Sequence, residues 1–97
     1  MTGHRFHSEA QAEFREAALF YESKRSGLGA SFADEVEHAI QLILAHPDAG
    51  TPVGRSLRRV LVKRFPYAVI YRREAGEIFI LALAHQSRRP GYWRQRK

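Results

Sequence analysis

The chain has 97 residues, 44% of them hydrophobic and 27% charged, with no cysteine. That length supports one core and a single domain spanning 1–97, and the balance excludes an intrinsically disordered chain. Missing thiols exclude a disulfide scaffold, a thiolate zinc site and a cysteine nucleophile. The longest apolar run, Ile78–Ala84, is far short of the ~20 residues a membrane span needs, and no apolar segment follows Met1 as a secretory leader would require. A cytoplasmic protein without membrane contact is expected.

The formal net charge is +6, but it is divided unevenly. Residues 1–54 carry four basic and eight acidic side chains, a net of −4. Residues 55–97 carry twelve basic and two acidic ones, a net of +10. Such polarity favours an anionic partner for the second half, either nucleic acid or an acidic protein segment.

In chain order, Arg5-Phe6-His7 has the pattern of a short edge strand. Ser8 and Gln11 have the spacing of a capping box opening a helix. Ala10, Phe14, Ala17, Ala18 and Tyr21 recur at steps of three and four, which predicts a helix over Glu9–Lys24. Ser26-Gly27-Leu28-Gly29 breaks it. A second stripe, Leu28, Phe32, Val36, Ala39, Ile40 and Ile43, predicts another helix that stops at His46-Pro47, because proline cannot continue the ladder. The short break makes the two an antiparallel hairpin.

The segment 48–54, with two glycines and a proline, is expected to be a loop. Beyond it the period becomes strand-like: Val60-Leu61-Val62, Tyr67–Tyr71 and Ile78–Ala84, with a turn at Ala75-Gly76. Tight connections imply an antiparallel meander, which buries its apolar face against the helical hairpin. The class is therefore α+β, ordered (β)ααβββ and ending in a basic tail from Gln86 onward.

Several chemistries are excluded by pattern. The five histidines include no HExxH pair, so no metal site is expected. Ser56 lies in no G-x-S-x-G elbow, and Gly27-Leu28-Gly29 lacks the strand and later glycine of a phosphate loop. The basic strands are more suggestive. Arg58, Arg59, Lys63, Arg64, Arg72, Arg73, Arg88 and Arg89 are interleaved with Tyr67, Tyr71, Tyr92 and Trp93. Such a set suits an RNA strand, the rings stacking on bases, or alternatively the rings simply pack the core. A metal-free ribonuclease also needs a proton acceptor and a donor. Histidine is the side chain that ordinarily titrates near neutrality, and His85 is the only one in the second half.

These residues resemble a known group. Gly29-x-x-Phe32-x-x-x-Val36-x-x-Ala39-Ile40, Pro47-x-x-Gly50-x-Pro52, Arg64-Phe65-Pro66-Tyr67-Ala68-Val69-Ile70-Tyr71 and His85-x-x-Arg88-Arg89-Pro90-x-x-Trp93 occur in the order of the RelE/ParE superfamily of type II toxin–antitoxin toxins. The resemblance implies a helical hairpin on a small antiparallel sheet. RelE-like members cleave mRNA on the ribosome, whereas ParE-like members are understood to inhibit DNA gyrase. RelE-like sequences tend to carry a catalytic arginine after the first tyrosine of the middle strand, where this chain has Ala68. Gln86-Ser87 also intervene before Arg88, and the Arg-Pro-x-x-Trp ending is similar to the ParE-like side.

The favoured branch thus implies a growth-inhibiting toxin, as in plasmid stabilisation, with no catalytic residues, metal or cofactor. Arg88, Arg89, Trp93, Arg94 and Arg96 would bind the target, DNA gyrase. Arg58, Arg59, Lys63 and Arg64 would bind an antitoxin with an acidic, partly disordered tail, and operator DNA would be met only through that antitoxin. The alternative is a ribosome-dependent mRNA endoribonuclease using His85, Arg64, Arg72, Arg89 and Tyr92.

Overall fold

A computed structural model describes residues 3–96. Strand β1 (His4–Phe6) leads into helix α1 (Ser8–Lys24). The helix is capped by His7, whose Nδ1 accepts the Glu9 N–H at 3.0 Å. The expected Ser8/Gln11 capping box is therefore not the cap: Ser8 is already helical, and the imidazole before it takes the orphan N–H.

Helix α2 (Leu28–Ala45) follows after a turn at Gly27, whose φ of 88° is left-handed. Glu22 accepts the backbone N–H groups of Gly27 and Gly29 at 3.0–3.1 Å, which holds its carboxyl below the usual value. At Gly29 an added Cβ would come 2.7 Å from the Ala18 carbonyl oxygen, so the hairpin closes only around a glycine. The α2 ladder ends with His46 N–H on the Leu42 carbonyl, directly before Pro47, as its sequence predicts.

Four more strands complete one sheet: β2 (Thr51–Val53), β3 (Leu57–Leu61), β4 (Tyr67–Glu74) and β5 (Glu77–His85). Their order is β1-β5-β4-β3-β2. The α+β class and the chain order stand, with two corrections. Part of the 48–54 segment is a strand, because Thr51–Val53 pairs with Arg59–Leu57 at the sheet edge, where a proline is tolerated. The sheet is also mixed: β1 runs parallel to β5, while the other pairs are antiparallel. The β4–β5 turn is as expected, with Ala75 and Gly76 both at positive φ between paired Glu74 and Glu77.

The inner face of the sheet is sealed by the hairpin. Phe32, Val36, Ile40 and Ile43 of α2 and Ala10 and Ala17 of α1 join Val69, Tyr71, Ile78, Ile80 and Leu83 in one core. Phe32 is its centre, with its ring 5.1 Å from those of Tyr21, Phe65 and Tyr67. The outer face carries a second, smaller core of Ala68, Ile70, Phe79, Leu81, Ala82 and Ala84, covered by the tail through Trp93 and, over Phe79, by the Arg5 and Arg72 guanidiniums. A bulge between Ile70 and Tyr71 shifts the β4–β5 register, so Leu81 and Ala82, neighbours in sequence, both join this outer cluster.

Candidate binding cleft

Strand alternation sends Arg58 and Arg59 to opposite faces, so the basic run of β3 does not form one patch. Arg58 turns inward. Its guanidinium donates to the Gly50 carbonyl at 2.8 Å and the Asp48 carbonyl at 3.3 Å. Beside it the Tyr71 hydroxyl donates to the Pro47 carbonyl at 2.7 Å and accepts the Gly50 N–H at 3.1 Å. Burial pushes this phenol's pKa up, and the ring is fully buried, so Tyr71 belongs to the core rather than to a stacking surface. Gly50 is required here, since a Cβ would lie 2.7 Å from that hydroxyl. The pair fastens the α2–β2 connection.

Arg59 turns outward, into an open cleft of about 400 Å³ between the sheet and the tail. Val53, Leu61, Ala68, Ile70 and Ala84 contribute apolar lining, and Leu61 is 55% exposed. The tail supplies the other wall with Arg88, Arg89 and Arg94, and His85 lies at the end of β5. The lining residues thus include four arginines and no carboxylate. Two sets that the sequence kept apart, one for an antitoxin and one for a target, meet here through Arg59 on one side and Arg88, Arg89 and Arg94 on the other.

Of the other members, Trp93 also lines the cleft, whereas Arg58, Lys63, Arg64 and Arg96 lie outside it. Lys63 is exposed and Arg64 faces Glu35 of α2, with 3.6 Å between guanidinium and carboxylate. Trp93 is only 5% exposed, because its ring packs on the sheet. Arg96 is bound by Glu13 of α1 at 2.9 Å through two nitrogens, which raises its pKa further.

Of the proposed nuclease set, His85, Arg89 and Tyr92 line the cleft, whereas Arg64 and Arg72 do not. Arg72 donates to Glu74 at 2.8 Å and covers the Phe79 ring; the same hydrogen bond holds the Glu74 carboxyl below its usual pKa. The Tyr92 hydroxyl donates to Glu13 at 2.6 Å, and burial, followed by this bond, drives its pKa strongly upward. His85 and Arg89 share the cleft with this tyrosine. The Ser87 backbone N–H, which can only donate, points at His85 Nδ1 from 2.9 Å. In the neutral ring Nδ1 is therefore the acceptor and Nε2 carries the proton, so neither nitrogen offers a free lone pair to a substrate hydroxyl.

Fold and cleft together define a small α+β domain with a hairpin-sealed core and an arginine-walled groove on the other face of its sheet. A family model described as the ParE toxin of the type II toxin–antitoxin system parDE matches residues 5–90, and the chain belongs to that family. Among solved structures, the chromosomal ParDE toxin–antitoxin system from P. aeruginosa has the same fold, with a TM-score of 0.76 at 18% identity over 88% of this chain and 96% of that one. No curated protein matches by sequence.

Sequence reasoning missed Glu13. It lies between the two buried alanines of α1, three residues after Ala10 and four before Ala17, and that placement on the inward face is the signal.

Proposed function

We propose that the chain is a toxin that acts by binding rather than by catalysis, with DNA gyrase as its target. An antitoxin would neutralise it by laying an acidic, partly disordered tail along the chain. The carrying observation is the cleft: four arginines, an apolar lining and no carboxylate. Carboxylates of a partner would pair with Arg59, Arg88, Arg89 and Arg94 while aliphatic side chains cover Leu61 and Ile70, a mode that draws on both charge and burial. Operator DNA would be reached through the antitoxin.

The inhibitor reading is supported over the ribonuclease reading by the side chains that are already engaged. Arg72, Arg64 and Tyr92 face carboxylates of this chain, and the His85 lone pair is occupied by Ser87. A general base needs a free lone pair within reach of the proton it removes.

Expression of this chain alone is expected to slow bacterial growth, and co-expression of a small antitoxin encoded beside it should restore growth. Unimpaired growth at verified soluble expression would remove the toxin reading.

A further inference from the structure

The tail reaches its place by crossing the open edge of β5. Strand β1 pairs with Ile78–Ile80, and among the described residues no strand lies beside the following backbone groups on that edge. Glu13 and Arg96 take their place. The Leu83 N–H donates to Glu13 Oε1 at 3.0 Å, and Arg96 donates to the Leu81 carbonyl at 3.1 Å. The same carboxylate accepts both Arg96 nitrogens and the Tyr92 hydroxyl. Glu13 and Arg96 side chains are only 14% and 10% exposed, so this pair is screened from salt far better than a surface ion pair. Arg88 stacks over the other partner, with its guanidinium carbon 3.9 Å from the Tyr92 ring centre.

We propose that Glu13 is a positioning residue for the arginine wall of the cleft. It does not line the cleft itself. Acting from α1, it holds Tyr92 and Arg96 on either side of Trp93, which seats the indole on the outer sheet face and fixes where Arg88, Arg89 and Arg94 stand. Its contribution to binding rests on the reading of the cleft as the partner's site; its hold on the tail does not.

Trp93 is the only tryptophan, so its emission reports tail docking directly. Glu13→Gln, Arg96→Met, Arg96→Lys and the Glu13→Gln/Arg96→Met pair are compared by tryptophan emission, acrylamide quenching, far-ultraviolet circular dichroism and growth arrest. Both Glu13→Gln and Arg96→Met should move emission to longer wavelength and raise quenching roughly twofold or more, as expected of a local opening with unchanged helix content. The pair should add little to either single change, since each opens the same latch. Arg96→Lys should restore part of the shielding. Growth arrest should weaken in Glu13→Gln, which removes no group from the cleft.

Unchanged emission and quenching in folded Arg96→Met would overturn the proposal even if Glu13→Gln failed to fold. A released tail with undiminished growth arrest would overturn the link to the cleft. A natural sequence that never arrests growth would sink the toxin reading, while Trp93 still decides the latch.

Discussion

The two faces of the sheet are built to different ends. The inner face meets two helices and closes an aromatic core around Phe32, Tyr21, Phe65 and Tyr67. The outer face meets no helix; a short tail covers part of its apolar surface with Trp93, Arg5 and Arg72 cover Phe79, and the remainder is open beneath four arginines. Most of the acidic residues lie in the half that forms the hairpin, and most of the basic ones in the half that forms β3 to the tail. Charge polarity here is a division of labour. The acidic half supplies the helices and anchors the tail through Glu13, and the basic half presents the groove.

Damage to the inner face should have the largest effect. Phe32→Ala should cost about 3–5 kcal/mol, since it empties the centre of a fully buried ring cluster. Urea denaturation would show a marked loss of midpoint, and partner binding would fall only as the folded fraction falls. On the outer face the effects should separate the other way. Replacing Arg88, Arg89 and Arg94 together with alanine should weaken antitoxin affinity roughly 100-fold or more, as arginines often dominate interfaces. All three are exposed, so the thermal midpoint should hardly move. A large fall in the midpoint would mean that these arginines support the fold.

Much of this division was legible in the sequence. Stripes at steps of three and four gave the hairpin, runs of strand length gave β3, β4 and β5, and the Gly29 and Gly50 positions proved to be sites of close approach. Three things were not legible. Thr51–Val53 is too short, and too broken by Pro52, to carry a strand signature of its own; only its pairing with β3 makes it one. Strand alternation splits Arg58 from Arg59, and side-chain direction is invisible until register is known. Arg96 reads as one more tail cation, but its partner lies 83 residues away on α1. Pairings at that separation belong to tertiary structure.

A gentler test concerns encounter. If the arginine wall steers an acidic tail, the association rate should fall about tenfold from low to physiological ionic strength while dissociation changes little. A flat association rate would remove steering from the account.

The smallest effect should come from Glu22 at the hairpin turn. Its hydrogen bonds from Gly27 and Gly29 lower its folded pKa below the ordinary 4.5. The stabilisation is therefore present above that value and lost as pH falls through the folded pKa. Melting midpoints of the natural chain and Glu22→Gln should differ slightly at neutral pH and converge in acid. A difference that persists unchanged in acid would assign the effect to something other than the carboxylate.

If the cleft binds and does not catalyse, inhibition of gyrase supercoiling should depend on its arginines and not on His85. The natural chain and His85→Ala should inhibit comparably, because no proton is transferred, while the variant lacking Arg88, Arg89 and Arg94 should inhibit far less. Loss of inhibition in a folded His85→Ala protein, or full inhibition without the three arginines, would contradict the account.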